Sequence, residues 1–189
     1  MKRSKTLNLI GILGGFLLVV SIAYAGVLSY YGKIVGTVNI QPPIFYASSE
    51  GTYPKYKLLI NAPPTSYNEI SFYDGTNILF ATSPLGITSF YSAIYTFTVK
   101  AKANATDYDM TLEFGVLHKN GRFEPICSAI VTINSTDYQI YQASCSAKGL
   151  DLSPDDSFAW RISGAYESVT YYVMPDGTTK VEVYKVWKN

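Results

Sequence analysis

Residues 123–147 read FEPICSAIVTINSTDYQIYQASCSA and hold most of the signals that decide the fold. Two segments, Phe123–Ile133 and Tyr138–Ala147, alternate between apolar and polar residues, which is the period of a half-buried β-strand. The turn-forming stretch Asn134-Ser135-Thr136-Asp137 lies between them. The two segments are therefore predicted to be consecutive strands joined by a short turn.

The only two cysteines of the chain lie in these segments, one in each. A hairpin around the turn would place three residue pairs opposite one another: Cys127 with Cys145, Ala129 with Ala143 and Val131 with Tyr141. This register predicts a Cys127–Cys145 disulfide, which is worth about 3 kcal/mol for a loop of this size. A pair of reactive or metal-binding thiols is the alternative, but no CxxC spacing or neighbouring His supports it.

Alternating segments of the same kind recur along the rest of the chain, bounded by turn residues. The further predicted strands are Val27–Ile40, Lys55–Asn61, Glu69–Tyr73, Ile78–Ala81, Phe90–Ala103, Met110–Lys119, Phe158–Ser163, Val169–Met174 and Lys180–Trp187. Asp74-Gly75, Asn120-Gly121 and Asp176-Gly177 fit the tight turns that join antiparallel strands. The predicted fold is all-β, a jelly-roll-like β-sandwich with an extended N-terminal strand.

The N-terminal region has the features of an export signal. Lys2, Arg3 and Lys5 precede an uncharged apolar run, and this run contains the cleavage motif Ala23-Tyr24-Ala25. The run also approaches the roughly 20 residues that span a membrane. Residues 1–25 are therefore predicted to be a signal peptide or a retained anchor. Either one places the remainder outside the cytoplasm, at the cell surface or beyond, with membrane contact during export.

Three further regions follow in the predicted domain organisation: an N-terminal strand arm at 26–41, a Pro/Ser/Gly-rich joint at 42–54 and a β-sandwich head at 55–189. Pro42-Pro43 and the stretch Ala47–Pro54 define the joint because they interrupt the strand pattern. The composition, with 48% hydrophobic and 15% charged residues, supplies enough apolar side chains for a core.

The arm is longer and more one-sided than the other predicted strands. One face carries no polar group except a Tyr hydroxyl; its residues are Leu28, Tyr30, Gly32, Ile34, Gly36, Val38 and Ile40. Such a strand could complete the sheet of a neighbouring subunit by β-strand addition. Burial of its apolar side chains would contribute roughly 7–15 kcal/mol, against an association cost of about 4–15 kcal/mol. Pairing within its own chain is the alternative.

Residues 21–40, SIAYAGVLSYYGKIVGTVNI, resemble the export and N-terminal region of archaeal bundling-pilus subunits related to the TasA and camelysin biofilm-fibre family. The resemblance implies a jelly-roll-like domain that polymerises by donation of its N-terminal strand. It covers about the first 45 residues. No Phe-Ser-Asp-like element follows the apolar run, and no His-Glu-x-x-His motif supports the protease activity attributed to camelysin-type proteins.

Several other function classes find little support in the sequence. The net charge of +1 falls to −2 if Lys2, Arg3 and Lys5 are removed, and no basic stretch remains to bind nucleic acid. His118 is the only histidine, and no Gly-x-Ser-x-Gly elbow is present. We predict no enzyme activity, no catalytic residue, no cofactor site and no metal site.

One acidic group and two sequons remain as candidate sites. Asp151, Asp155 and Asp156 could bind calcium weakly, although the intervening Pro154 favours a simple turn. Asn104-Ala105-Thr106 and Asn134-Ser135-Thr136 are N-glycosylation sequons in predicted turns. An unmodified surface Asn is the alternative at each.

The leading hypothesis is a structural subunit of an extracellular filament, a pilus or biofilm fibre, that assembles head to tail with copies of itself by donor-strand complementation. N-glycans would be its other partners. The alternative is a membrane-tethered extracellular β-sandwich that serves as a binding or accessory domain, with its first strand paired in cis.

Overall fold

The computed structural model describes residues 43–73, 75–165 and 168–185. Their strands, in chain order, are β1 Ile44–Thr52, β2 Lys55–Ile60, β3 Ile70–Tyr73, β4 Asn77–Ala81, β5 Ser89–Phe90, β6 Ala93–Ala103, β7 Tyr108–Leu117, β8 Phe123–Ile133, β9 Gln139–Ala147, β10 Leu150–Asp151, β11 Ser157–Gly164, β12 Thr170–Val173 and β13 Lys180–Lys185. Within these ranges we find no helix with the length and apolar character needed to cross a membrane.

The strands form two layers. The first runs in the order β9-β6-β13-β1, and β12 followed by β3 continues along the distal part of β6. The second runs in the order β4-β11-β7-β8. β2 joins the layers, because it pairs with β1 in antiparallel and with β4 in parallel orientation. β5 and β10 form a small separate sheet.

Alternation along the strands builds the core between the layers. In β6, every second residue from Ala93 to Ala103 is at most 1% exposed, whereas those between face outward or lie at intermediate depth, except for the buried Thr98. Aromatic rings from the two layers contact each other in tilted pairs. The ring of Tyr95 lies 5.1 Å from that of Phe114, and the ring of Phe97 lies 5.8 Å from that of Trp160. These contacts join strands that are not ladder neighbours, so the predicted all-β sandwich is confirmed.

The predicted joint at 42–54 is wrong, because residues 44–52 form β1 and Phe45 and Ala47 lie in the core. Its turn-like composition belongs to a bulged hairpin. The register shifts between Ala47 and Gly51, and the buried Ser48 Oγ accepts a hydrogen bond from the backbone of Glu50. Gly51 has a φ of +132°, and a Cβ there would lie 2.5 Å from the carbonyl oxygen of Lys55. The head therefore includes β1 and does not begin at Lys55.

The three predicted Gly turns have different outcomes. Asn120-Gly121 joins β7 and β8, which do pair with each other. The turn that includes Gly75 follows β3, whose ladder partner is β12 and not β4. Asp176-Gly177 lies between β12 and β13, which both pair with β6. A favourable turn dipeptide thus marks a change of direction here without identifying the partner strand.

The loop between β12 and β13 is closed by a buried threonine. Thr179 Oγ1 accepts a hydrogen bond from Lys100 N at 3.1 Å and donates one to Met174 O at 2.7 Å. Its carbonyl oxygen accepts from Ala47 N at 3.1 Å. These bonds satisfy the backbone where the ladder along β6 is interrupted, which keeps β13 in register beside β1.

The predicted signal peptide or anchor at 1–25 and the predicted donor arm at 26–41 lie outside the described residues.

Candidate functional site

The outer edge of β9 is the principal candidate site. Over Ala93–Ala101, β6 pairs with β9 in unbroken register on one side. No strand among the described residues pairs with the other side of β9. This edge is nine residues long and contains neither a charged residue nor a proline. It therefore presents backbone donors and acceptors that another strand could engage.

The inward side chains of β9 are incompletely covered. Tyr141, Ala143, Cys145 and Ala147 pack against the core but are only half-buried. Alternate inward residues of the central strand β6 are, by contrast, almost fully buried. An added strand beside β9 would therefore cover apolar surface and also make ladder bonds.

β8 also has an edge without a partner among the described residues, but its geometry opposes strand addition. Pro125 has no backbone N–H, and Ile126 is an extra residue where the β7–β8 register shifts. Gly115 makes this bulge possible, because a Cβ there would lie 2.1 Å from Glu124 O. Among the strands that the structure describes, β3 also ends the large sheet, and it has only four residues. β9 is the long edge that lacks these protective features.

The predicted Cys127–Cys145 disulfide is present, with Cα atoms 5.8 Å apart. The predicted hairpin register is wrong, since β8 pairs with β7 and β9 pairs with β6. The disulfide therefore joins the edges of the two layers and does not lie across a hairpin. A structural disulfide is typical of proteins in an oxidising, extracytoplasmic environment.

The other predicted site residues fall in separate places. Asn104 lies in the β6–β7 loop and Asn134 in the β8–β9 loop, and both are exposed. All seven predicted residues of the donor-strand face lie outside the described residues: Leu28, Tyr30, Gly32, Ile34, Gly36, Val38 and Ile40.

His118 takes part in an ionic cluster at the β7–β8 turn. Its Nδ1 lies 3.1 Å from Asp156 Oδ1 and its Nε2 lies 3.3 Å from Glu124 Oε2. Lys119 pairs with Asp155 at 2.8 Å. These contacts attach the β7–β8 turn to the loop before β11.

The candidate calcium residues do not converge. Asp155 and Asp156 are engaged by Lys119 and His118, and Asp151 lies in β10 opposite Ser89. In the part of the chain that the structure describes, no group of three or more His, Cys, Asp or Glu side chains is arranged to hold a metal ion.

The backbone N–H of Ser153, at 2.9 Å, holds the pKa of Asp156 below its usual value. The hydrogen bond from His118 acts in the same direction, against the effect of burial. Because the folded pKa is depressed, the stabilisation is present above the unfolded pKa of about 3.9 and is lost as the pH falls through the folded value.

We therefore expect the free energy of unfolding to fall more steeply below about pH 4 in the unmodified protein than in Asp156→Asn. Denaturant midpoints measured between pH 6 and pH 2 test this, with the exposed neighbour Asp155→Asn as the control. Equal slopes for the unmodified protein and Asp156→Asn would contradict the assignment.

No protein-family model and no curated protein matches the chain by sequence. Solved structures do resemble it. A CocE/NonD family hydrolase from Staphylococcus aureus superposes with a TM-score of 0.59 at 8% identity, over 79% of this chain and 37% of that chain. An aminopeptidase from a marine sediment archaeon, Thaumarchaeota archaeon, superposes with a TM-score of 0.55 at 9% identity, over 74% of this chain and 36% of that chain. An α-amino acid ester hydrolase superposes with a TM-score of 0.53 at 10% identity, over 76% of this chain and 36% of that chain.

The chain thus spans less than two fifths of these hydrolases. At such identities the likeness shows a shared fold alone.

The sequence does not indicate that β9 is an edge strand, because the predicted hairpin pairs it with β8, whereas in the structure it pairs with β6. A usable signal was nevertheless present: residues 139–147 lack the Lys, Pro and charged residues with which edge strands are usually protected.

Proposed function

We propose that this protein is a structural subunit of an extracellular filament, a pilus or biofilm fibre, in which β9 of each head accepts residues 27–40 of the next copy. The observation that carries the proposal is the long, uncharged outer edge of β9, with which no strand among the described residues pairs. The role is non-enzymatic. The resemblance of the first 45 residues to archaeal bundling-pilus subunits supports the same assignment.

The two surfaces are complementary. Leu28, Ile34 and Val38 would cover the half-buried inward side of β9, where Ala143 and Ala147 leave room. Each ladder hydrogen bond would add about 0.5–1.5 kcal/mol net. The Gly residues of the donor face would permit close approach of the Cys127–Cys145 edge.

Chain length favours donation between copies. Ile44, Glu182, Thr96 and Ser144 form one row across β1, β13, β6 and β9. A strand added beyond β9 would lie about 19 Å from β1 along this row, at about 4.8 Å per strand. The four residue steps from Ile40 to Ile44 reach at most about 14 Å. A strand that ends at Ile40 therefore reaches the β9 edge of another copy more readily than that of its own head.

Donation of this kind is heterologous, because the arm of one copy meets a different surface on the next. Such contacts repeat without closing and produce a linear polymer. The disulfide and the signal-like N-terminus are consistent with assembly outside the cytoplasm.

The decisive variant is Ile34→Asp, which places a charge on the apolar face of the arm. We expect export to continue and filaments to be absent in negative-stain micrographs, since burying an unpaired carboxylate costs several kcal/mol. Lys33→Asp changes the opposite face of the same strand and is the matched control, for which filaments are expected. Normal filaments from Ile34→Asp would refute the proposal.

The edge assignment has its own test. Heads that lack residues 26–41 are expected to be monomeric and to be stabilised by a Val27–Ile40 peptide. A photoreactive amino acid that replaces Val35 in this peptide should cross-link to residues 139–147 of the head, as mapped by mass spectrometry. Cross-links to 123–133 would overturn the β9 assignment. Failure of dilute peptide to stabilise the heads would favour the alternative, a tethered binding domain whose first strand pairs in cis.

A further inference from the structure

We propose that Asn104 and Asn134 both carry N-linked glycans, clustered at the end of the sandwich that is remote from the point where the N-terminal segment enters. The proposal is independent of filament formation. It rests on the way the fold presents the two side chains and on the contact between their loops.

The side chain of Asn104 is held with its nitrogen directed away from the backbone of Thr170. Thr170 N–H donates to Asn104 Oδ1 at 3.0 Å, and Asn104 N–H donates to Thr170 O at 3.0 Å. Because a backbone N–H can only donate, the amide oxygen must face Thr170. The nitrogen Nδ2, which is the atom that takes the glycan, faces away from this contact. Thr106, the third residue of the sequon, is exposed.

Asn134 is presented in a similar way. The hydroxyl of Tyr141 donates to Asn134 Oδ1 at 3.1 Å and accepts from Asn134 N–H at 3.3 Å. Thr136 is exposed, and a hydrogen bond from Asp137 N–H to Ser135 Oγ at 3.0 Å shapes the loop. Here too the described hydrogen bonds use the backbone N–H and Oδ1, leaving Nδ2 for modification.

The two loops touch each other. Ala103 N–H donates to Ser135 O at 3.3 Å, and Asp107 N–H donates to Ile133 O at 2.8 Å. Both sequons therefore lie at the end of the sandwich where β6 finishes. The chain enters at the opposite end, because Ile44 lies in the row of Thr96, near the start of β6. Thr96 and Ala103 lie seven residues apart in β6, which at about 3.3 Å per residue separates the two ends by roughly 23 Å.

The donor would be an oligosaccharide linked to a membrane lipid through a phosphate or diphosphate, used by a transferase outside the cytoplasm. The Asn Nδ2 forms a bond to the anomeric carbon of the sugar, and the bond from that carbon to the phosphate oxygen breaks. The lipid phosphate leaves with the electron pair, and Nδ2 loses a proton to a base of the transferase. No oxidation or reduction takes place.

The test is intact-mass and peptide mass spectrometry of the full chain, exported by a host shown to glycosylate a control secreted protein. We expect two glycan increments, of which Asn104→Gln and Asn134→Gln each remove one. Thr106→Ser should keep the first increment and Thr106→Val should abolish it, which separates sequon recognition from a change in the loop. Unmodified peptides at both sites would overturn the proposal, and one unmodified site would overturn it for that site. Neither result bears on filament formation.

Discussion

Phe114→Ala is expected to lower the free energy of unfolding by about 3–5 kcal/mol. Phe114 is fully buried in β7, where its ring centroid lies 5.1 Å from those of Phe45 and Tyr95 and 5.5 Å from that of Phe158. Truncation removes contacts with both layers at once and leaves a cavity that the surrounding strands fill only in part. The midpoint of guanidinium unfolding, at unchanged slope, measures the effect.

Tyr73→Ala is the control for the loss of an aromatic ring. The side chain of Tyr73 is 61% exposed at the sheet edge, so its removal should change stability by no more than about 0.5 kcal/mol. The loss in the free energy of unfolding for Phe114→Leu should lie between those of Phe114→Ala and Tyr73→Ala, because leucine keeps most of the apolar volume. A loss below 1 kcal/mol for Phe114→Ala would contradict the sandwich core described above.

Removal of the disulfide in a Cys127→Ala/Cys145→Ala variant is expected to lower the free energy of unfolding by about 2–5 kcal/mol. The bridge spans 18 residues and joins the edges of the two layers. Its loss frees the unfolded chain and, in the folded state, releases β9 from β8. Urea unfolding of the oxidised protein, the reduced protein and the variant measures the loss in stability.

Amide hydrogen exchange adds a local readout. Exchange should accelerate in β8 and β9 more than in the central strand β7, because only the edges lose a cross-link. In the proposed filament, the acceptor edge would also be less well ordered, and the Val27–Ile40 peptide should bind more weakly. Unchanged stability together with uniform exchange would show that the disulfide does not hold these edges.

Strand positions followed from the sequence where alternation is regular. Phe123–Ile133 was predicted with the bounds that β8 has, and Tyr138–Ala147 differs from β9 by one residue. β1 was missed because Ser48, Ser49 and Gly51 resemble a linker. In the structure they form a bulge, in which the hydroxyls of the buried Ser48 and of Ser49 accept hydrogen bonds from backbone N–H groups.

The choice of partner strands could not be obtained in the same way. Alternation indicates which side chains of a strand face the core, but nothing in Gln139–Ala147 specifies β6 as its neighbour. That choice depends on how rings such as Phe97 and Trp160 fill the space between the layers. The disulfide was predicted correctly from a hairpin register that does not exist, because two neighbouring edges bring Cys127 and Cys145 together equally well.

Of the two surfaces in the proposed interface, the sequence therefore predicted only the donor arm. The residues of the arm were identified from their pattern, whereas the acceptor edge emerged from the sheet order. The contact of His118 with Asp156 joins residues 38 positions apart and left no local trace in the sequence.

The row from Ile44 to Ser144 has a mechanical consequence. In a filament of the proposed kind, tension would enter each head through β1 and leave through β9, after crossing β13 and β6. Ladder hydrogen bonds lie perpendicular to the strands, so a pull along the strands loads many of them together in shear. A pull between Pro43 and Lys185, which lie at the same end of adjacent strands, would instead separate β1 from β13 one bond at a time.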